Sequence, residues 1–198
     1  MVKDYKIKTL VGTAILAAIV VILQTFASSI HIGPFSITLA LVPIIIGAIV
    51  FGPVSGAVLG AAFGMVVTWA VITGADVGGY LMFQQNPAVT VIVCILKSTV
   101  AGYLAGVVSR ICSVKGKMTL GTVLAAIICP VCNTGILSIA MITIFSDLVM
   151  GWAQGAGHTS LISYIIIGVV GMNFLVELAI NIVFVPTITH IIKAIKKV

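Results

Sequence analysis

Acid is the scarcest thing in this chain: four carboxylate side chains, Asp4, Asp76, Asp147 and Glu177, in 198 residues. They are too scattered for paired acid–base catalysis or for a relay of protons. Charge of either sign is scarce as well, 7% of residues where a soluble domain carries about 25%. With 61% of residues hydrophobic, a water-facing surface cannot be assembled from what remains. Lipid must be the solvent. "KGKM" (115–118) lacks the upstream glycines of a phosphate-binding loop, and neither HExxH nor GxSxG occurs. The chain is therefore expected not to hydrolyse ATP itself and not to be an enzyme. Its four cysteines, Cys94, Cys112, Cys129 and Cys132, lie in or beside apolar segments and in no expected outside loop, which argues against a disulfide framework. "CPVC" (129–132) has the spacing of a redox or metal half-site, but without partner ligands it reads as helix packing. No metal and no cofactor are expected.

Apolar runs are what the chain has in abundance. A spanning helix takes about 20 such residues, and six segments qualify: roughly 9–30, 35–51, 53–74, 88–110, 118–145 and 161–192. The first is longer than a signal-peptide core and reads as a retained span. Lys3, Lys6 and Lys8, then Arg110, Lys115 and Lys117, then Lys193, Lys196 and Lys197 occupy three places that an even number of spans puts on one side. By the positive-inside rule both termini and that middle loop are expected in the cytoplasm. The net charge of +6 is thus a matter of topology and not of nucleic acid. The stretches 75–87 and 146–160 fall outside, as lids or as solvated linkers. His31, His158 and His190 lie near loop ends and read as surface residues. No linker, low-complexity tract or inverted repeat is evident, so 1–198 is expected to be a single six-helix membrane domain.

Small residues recur at four-residue spacing. "FGPVSGAVLGAAFG" (51–64) places Gly52, Gly56, Gly60 and Gly64 on one slightly drifting stripe. Glycine inside a helix costs about 1 kcal/mol relative to alanine, yet in lipid it allows another helix to come close. The first span carries Ala14 and Ala18, and the fourth carries Ala101, Gly102, Ala105 and Gly106. These stripes serve packing within the bundle or a surface for another membrane subunit.

Polar side chains inside the spans are costly and are functional candidates for that reason. Lys97 sits about 14 Å below the outer end of the fourth span at 1.5 Å per residue. Asn173, Glu177 and Asn181 share one face of the last span. Asn133 and Thr134 follow Pro130 in the fifth, while Gln24 and Trp69 lie at an outer-half level of the first and third. Lys97 pairs with Glu177, or it receives an anionic group of a ligand. Trp69 is an interfacial aromatic or a stacking wall.

"ITLALVPIIIGAIVFGPVSGAVLGAAFG" (37–64), "NPAVTVIVCILKSTVAGYLAG" (86–106) and "CPVCNTGI" (129–136), in that order, resemble the substrate-binding S component of energy-coupling factor (ECF) transporters. The resemblance implies a six-helix protein of a prokaryotic plasma membrane that captures a vitamin or related micronutrient from outside. It implies delivery through a transmembrane T component and two cytoplasmic ATPase subunits. It implies that Ala14 and Ala18, matching the family's AxxxA pattern, dock the T component, with Gly52, Gly56 and Gly60 as further parts of that face. Asn86-Pro87 and Asn133-Thr134 are similar to the pantothenate and folate group. That group has an arginine in the fourth helix where this chain offers Lys97. The implied ligand is a small anionic vitamin, pantothenate first, with a haem-like ligand as a minor choice. Lys97, Asn133, Asn173, Glu177, Trp69, Gln24 and Asn86 are the substrate-binding candidates. A stand-alone secondary transporter or channel is the alternative, and a ligand-free assembly subunit a further one.

Overall fold

Helix satisfies every backbone N–H and C=O within one segment, which a chain surrounded by hydrocarbon requires. The computed structural model, which describes residues 2–27, 31–32, 35–36 and 38–196, is accordingly built almost wholly of helices. In chain order they are α1 (Val2–Ala27), α2 (Leu41–Phe51), α3 (Pro53–Ile72), α4 (Val77–Gln85), α5 (Pro87–Val114) and α6 (Met118–Thr143). α7 (Ser146–Gly155), α8 (Leu161–Tyr164), a π-helical segment (Ile165–Gly171), α9 (Met172–Val183) and α10 (Val185–Lys196) complete them. Between α1 and α2 a two-residue antiparallel pairing joins His31–Ile32 to Phe35–Ser36.

Among the described residues four helices are long and apolar enough to cross a membrane: Lys6–Phe26 of α1, α3, α5 and α6. A fifth span results if the pair Phe174–Val183 and Val185–Ile192, bent by 42°, is taken as one. Pro186 accounts for that bend, because it supplies no N–H and crowds the carbonyl four residues back. The expected second span, 35–51, differs from the observed one. Only the eleven residues of α2 are helical there, about 16 Å at 1.5 Å per residue, and the chain before them carries the short pairing. α2 is apolar all round because it is enclosed by protein: Leu41, Ile44, Ile45 and Ala48 are buried among α1, α3, α5, α6 and α10. Burial among the other helices explains its all-round hydropathy.

The stretches expected as outside loops contain two further helices. α4 begins at Asp76, whose side chain accepts from Gly79 N at 2.8 Å as an N-cap. α7 buries Val149 and Ala153, one turn apart, in a satellite cluster with Met82, Met141, Phe145 and Tyr164. Both therefore pack on the end of the bundle where α6 finishes.

α3 and α5 run antiparallel in close backbone contact. A Cβ placed on Gly56 would strike the carbonyl oxygen of Gly102, and one on Gly102 would strike that of Gly56. A Cβ on Gly60 would meet the Ser98 carbonyl, and one on Gly64 would lie 2.7 Å from the Cys94 carbonyl. The expectation that Gly56 and Gly60 help dock a partner gives way here. They are buried against α5, and a surface consumed inside the chain is not free for another subunit. Gly52 serves the connection instead. Its φ of 101° turns the chain sharply from α2 into α3, where Pro53 starts the helix.

Candidate functional site

The bundle interior holds more polar side chains than its membrane setting favours. Gln24 of α1, Lys97 of α5, Asn133 of α6, and Glu177 and Asn181 of α9 are all at most 8% exposed. Thr38, which leads into α2, gives Glu177 two hydrogen bonds, one from its hydroxyl and one from its backbone N–H. Among the described residues, Glu177 Oε2 nonetheless has no partner. The Asn181 amide donates to the Glu177 carbonyl at 2.8 Å, and its Oδ1 is left without a donor. Gln24 Oε1 and Asn133 Oδ1 are likewise buried and unmet. Every one of these atoms is an acceptor oxygen as placed. An unmet buried polar group costs about 1–3 kcal/mol, so the region is stable at a cost that a donor-bearing ligand relieves.

α6 and α9 are packed neighbours, which sets Asn133 and Glu177 on facing helices. Cys129, one turn before Asn133, lies within electrostatic reach of Glu177. Pro130 stands between them inside a continuous α6, and its missing N–H frees one carbonyl of the preceding turn. The π-helical segment ends at Gly171, six residues before Glu177. A π turn widens the helix locally and re-aims the side chains that follow. The side chain of Asn173 lies outside the described residues.

Lys97 approaches from the other side. It lines a small cavity, about 20 Å³, with Asp76, Thr90, Cys94, Val67, Val71 and Leu137, beneath Gly79 and Met82 of α4. That is room for about one water. No direct ion pair joins Lys97 to Glu177 among the described residues; the two charges attract at longer range. Asp76 and Lys97 both act electrostatically on Cys94. The lysine therefore stands between two carboxylates, Glu177 inward and Asp76 toward α4.

Two expected site residues are placed elsewhere. Trp69 is 70% exposed on the outside of α3, so it forms no wall of a buried site. Asn86 is the N-cap of α5, its side chain accepting from Val89 N at 3.3 Å, which occupies its oxygen with the helix end. Two contributors escaped the sequence reading. Thr38 lies in a stretch with no periodic signal, and Asp76 looked like a loop residue although an Asp three residues before a glycine N–H is a cap pattern. Ala14 and Ala18 are exposed on α1, on a face the chain itself does not cover.

The chain is thus a largely helical, multi-pass membrane protein with a buried polar cluster inside it. The family model for the ECF transporter, substrate-specific component, matches residues 8–189, and the chain belongs to that family. Its members are the substrate-binding components of transporters and not enzymes, and they work with a T component and ATPases. No curated protein and no solved structure matches the chain.

Proposed function

We propose that this chain captures a small anionic vitamin, pantothenate as first choice, between Lys97 and the Glu177–Asn133–Asn181 group. The observation that carries the reading is the set of unmet acceptor oxygens in a lipid-embedded interior. Pantothenate matches both sets of groups: its carboxylate complements Lys97, and its hydroxyls and amide N–H are donors for Glu177 Oε2 and Asn133 Oδ1, in a site that must open beyond the one-water cavity at Lys97 to admit it. Gln24 and Asn173 belong to the same site in this reading. Trp69 and Asn86 do not.

The bound vitamin is handed on by docking to a T component that carries two cytoplasmic ATPases. The exposed Ala14 and Ala18 form the contact, since small side chains permit the close approach that drives helix association in lipid. Both termini and the Arg110–Lys117 turn face the cytoplasm of a prokaryotic cell, and the chain is a single domain of six spans, with the eleven-residue α2 the shortest of the six. A stand-alone transporter or channel would need no such docking face. Calorimetric titration of pantothenate into purified protein tests the ligand. Binding is expected in the native chain, with an affinity loss of about 2–5 kcal/mol in a folded Lys97→Met variant. Equal binding by both proteins would remove Lys97 from the site.

A further inference from the structure

At the opposite end of the bundle, a second polar space is unused by the capture site. A cavity of about 380 Å³ opens where α2 turns into α3, lined by Ala48 to Val54, Gly106, Ser109, Arg110 and Ser113. Its chemistry is two-sided. Pro53 and Val54 at the start of α3 line it, no side chain caps that end, and Gly56 N is already bonded to Gly52, so the N–H of Val54 is the free donor there. That end carries partial positive charge and favours an anion. The last carbonyls of α2, Ala48 to Phe51, border the same space and call for donors. Ser109 is only 2% exposed, lines the cavity, and its hydroxyl makes no hydrogen bond among the described residues. Arg110 stands exposed at the rim, one turn before α5 ends.

Arg110 and Pro53 are also walls of an adjoining apolar groove of about 450 Å³. Tyr103, Val107, Ile111 and Val114 line it along one face of α5, with Lys115 at its end. From Arg110 back to Tyr103 the groove runs about 10 Å at 1.5 Å per residue, long enough for the upper part of an acyl chain within the ~15 Å hydrocarbon depth of one leaflet. A polar cavity with a basic rim therefore adjoins an apolar groove that can take the upper part of an acyl chain. We propose that this composite site holds one glycerophospholipid. Its phosphate lies against Arg110 and the α3 N-terminus, and one acyl chain runs from there along Val107 to Tyr103. The headgroup carries donors, an ammonium or glycerol hydroxyls, that bond the α2 carbonyls and Ser109. Basic pockets between spanning helices recognise lipid headgroups in this way. A choline headgroup, with its nitrogen fully methylated, cannot supply those donors.

Native mass spectrometry of the detergent-purified full chain with equimolar phosphatidylglycerol, phosphatidylethanolamine and phosphatidylcholine tests the site. Retention of the first two is expected to exceed that of the choline lipid by roughly fivefold, the worth of about one net hydrogen bond. Arg110→Gln should bring all three to the choline level, whereas Lys8→Gln, an exposed charge of α1 away from the cavity, should change nothing. Ser113→Leu, which fills the rim from a half-buried position, gives the same readout if Arg110→Gln does not fold. Equal retention of the choline lipid would overturn the proposal, as would selectivity that survives both Arg110→Gln and Ser113→Leu. Inorganic phosphate raising the melting temperature as much as phosphatidylglycerol would overturn the lipid and leave a free-anion site.

Discussion

Two helix contacts in this molecule are built from the same kinds of residue and do opposite things. Where α3 meets α5, Gly56, Gly60 and Gly64 lie on the backbone of Gly102, Ser98 and Cys94. The hydroxyl of Ser98 there is bonded to its own helix at Cys94 O, 3.0 Å away. Nothing in that seam asks for another molecule. Where α6 meets α9, Asn133, Glu177 and Asn181 are just as buried, yet each keeps an oxygen with no donor. In lipid, close packing drives association and unmet polarity opposes it. The seam thus supplies the stability, and the α6–α9 region holds the chemistry left open for a ligand. A structural role alone would be served better by leucine at Asn133.

The largest expected effect breaks the seam. Gly60→Leu forces a side chain into the Ser98 carbonyl and should destabilise the bundle by about 3 kcal/mol or more. Gly135→Leu on α6, where an added Cβ meets nothing within 4 Å, should melt like the native protein. Equal melting of the two variants would show that the α3–α5 contact is not the tight one. Next is Asn133→Leu, which removes an unmet polar group. Ligand affinity should fall by about 1–3 kcal/mol, while the ligand-free protein melts no earlier. An earlier melt with unchanged affinity would make Asn133 structural and erase the contrast. The smallest effect belongs to Trp69→Ala, on the exposed side of α3. Affinity should stay within about 0.5 kcal/mol of native; a larger loss would place the indole back at the site.

Composition alone foretold a helical membrane protein, because 61% hydrophobic and 7% charged residues leave no other solvent. The long helices α1, α3, α5 and α6 were legible from unbroken apolar runs. α2 was misjudged as a full span, since hydropathy cannot distinguish a helix enclosed by protein from one enclosed by lipid. α4 and α7 were missed for the reverse reason: glycines and polar residues in 75–87 and 146–160 mask short helices held by Asp76 and by packing of Val149 and Ala153. At the site, Lys97, Gln24, Asn133 and Glu177 stood out as polar residues in apolar runs, and burial agrees. Trp69 was named with them but lies exposed, because spacing fixes depth along a helix more securely than direction around it. Thr38 was invisible, since its role depends on a chain reversal between α1 and α2 that no local pattern encodes.

Whether the α6–α9 oxygens are a capture site is tested most directly by what the protein carries. Mass spectrometry of small molecules released from the denatured, purified native chain and from Glu177→Gln and Lys97→Met should be read beside their melting curves. The native chain is expected to release one small carboxylate with hydroxyl or amide donors, near one per chain. Both variants are expected to fold and to release little of it. Variants that release as much as the native chain would contradict the account, and so would a native chain that binds no vitamin even when one is supplied in excess.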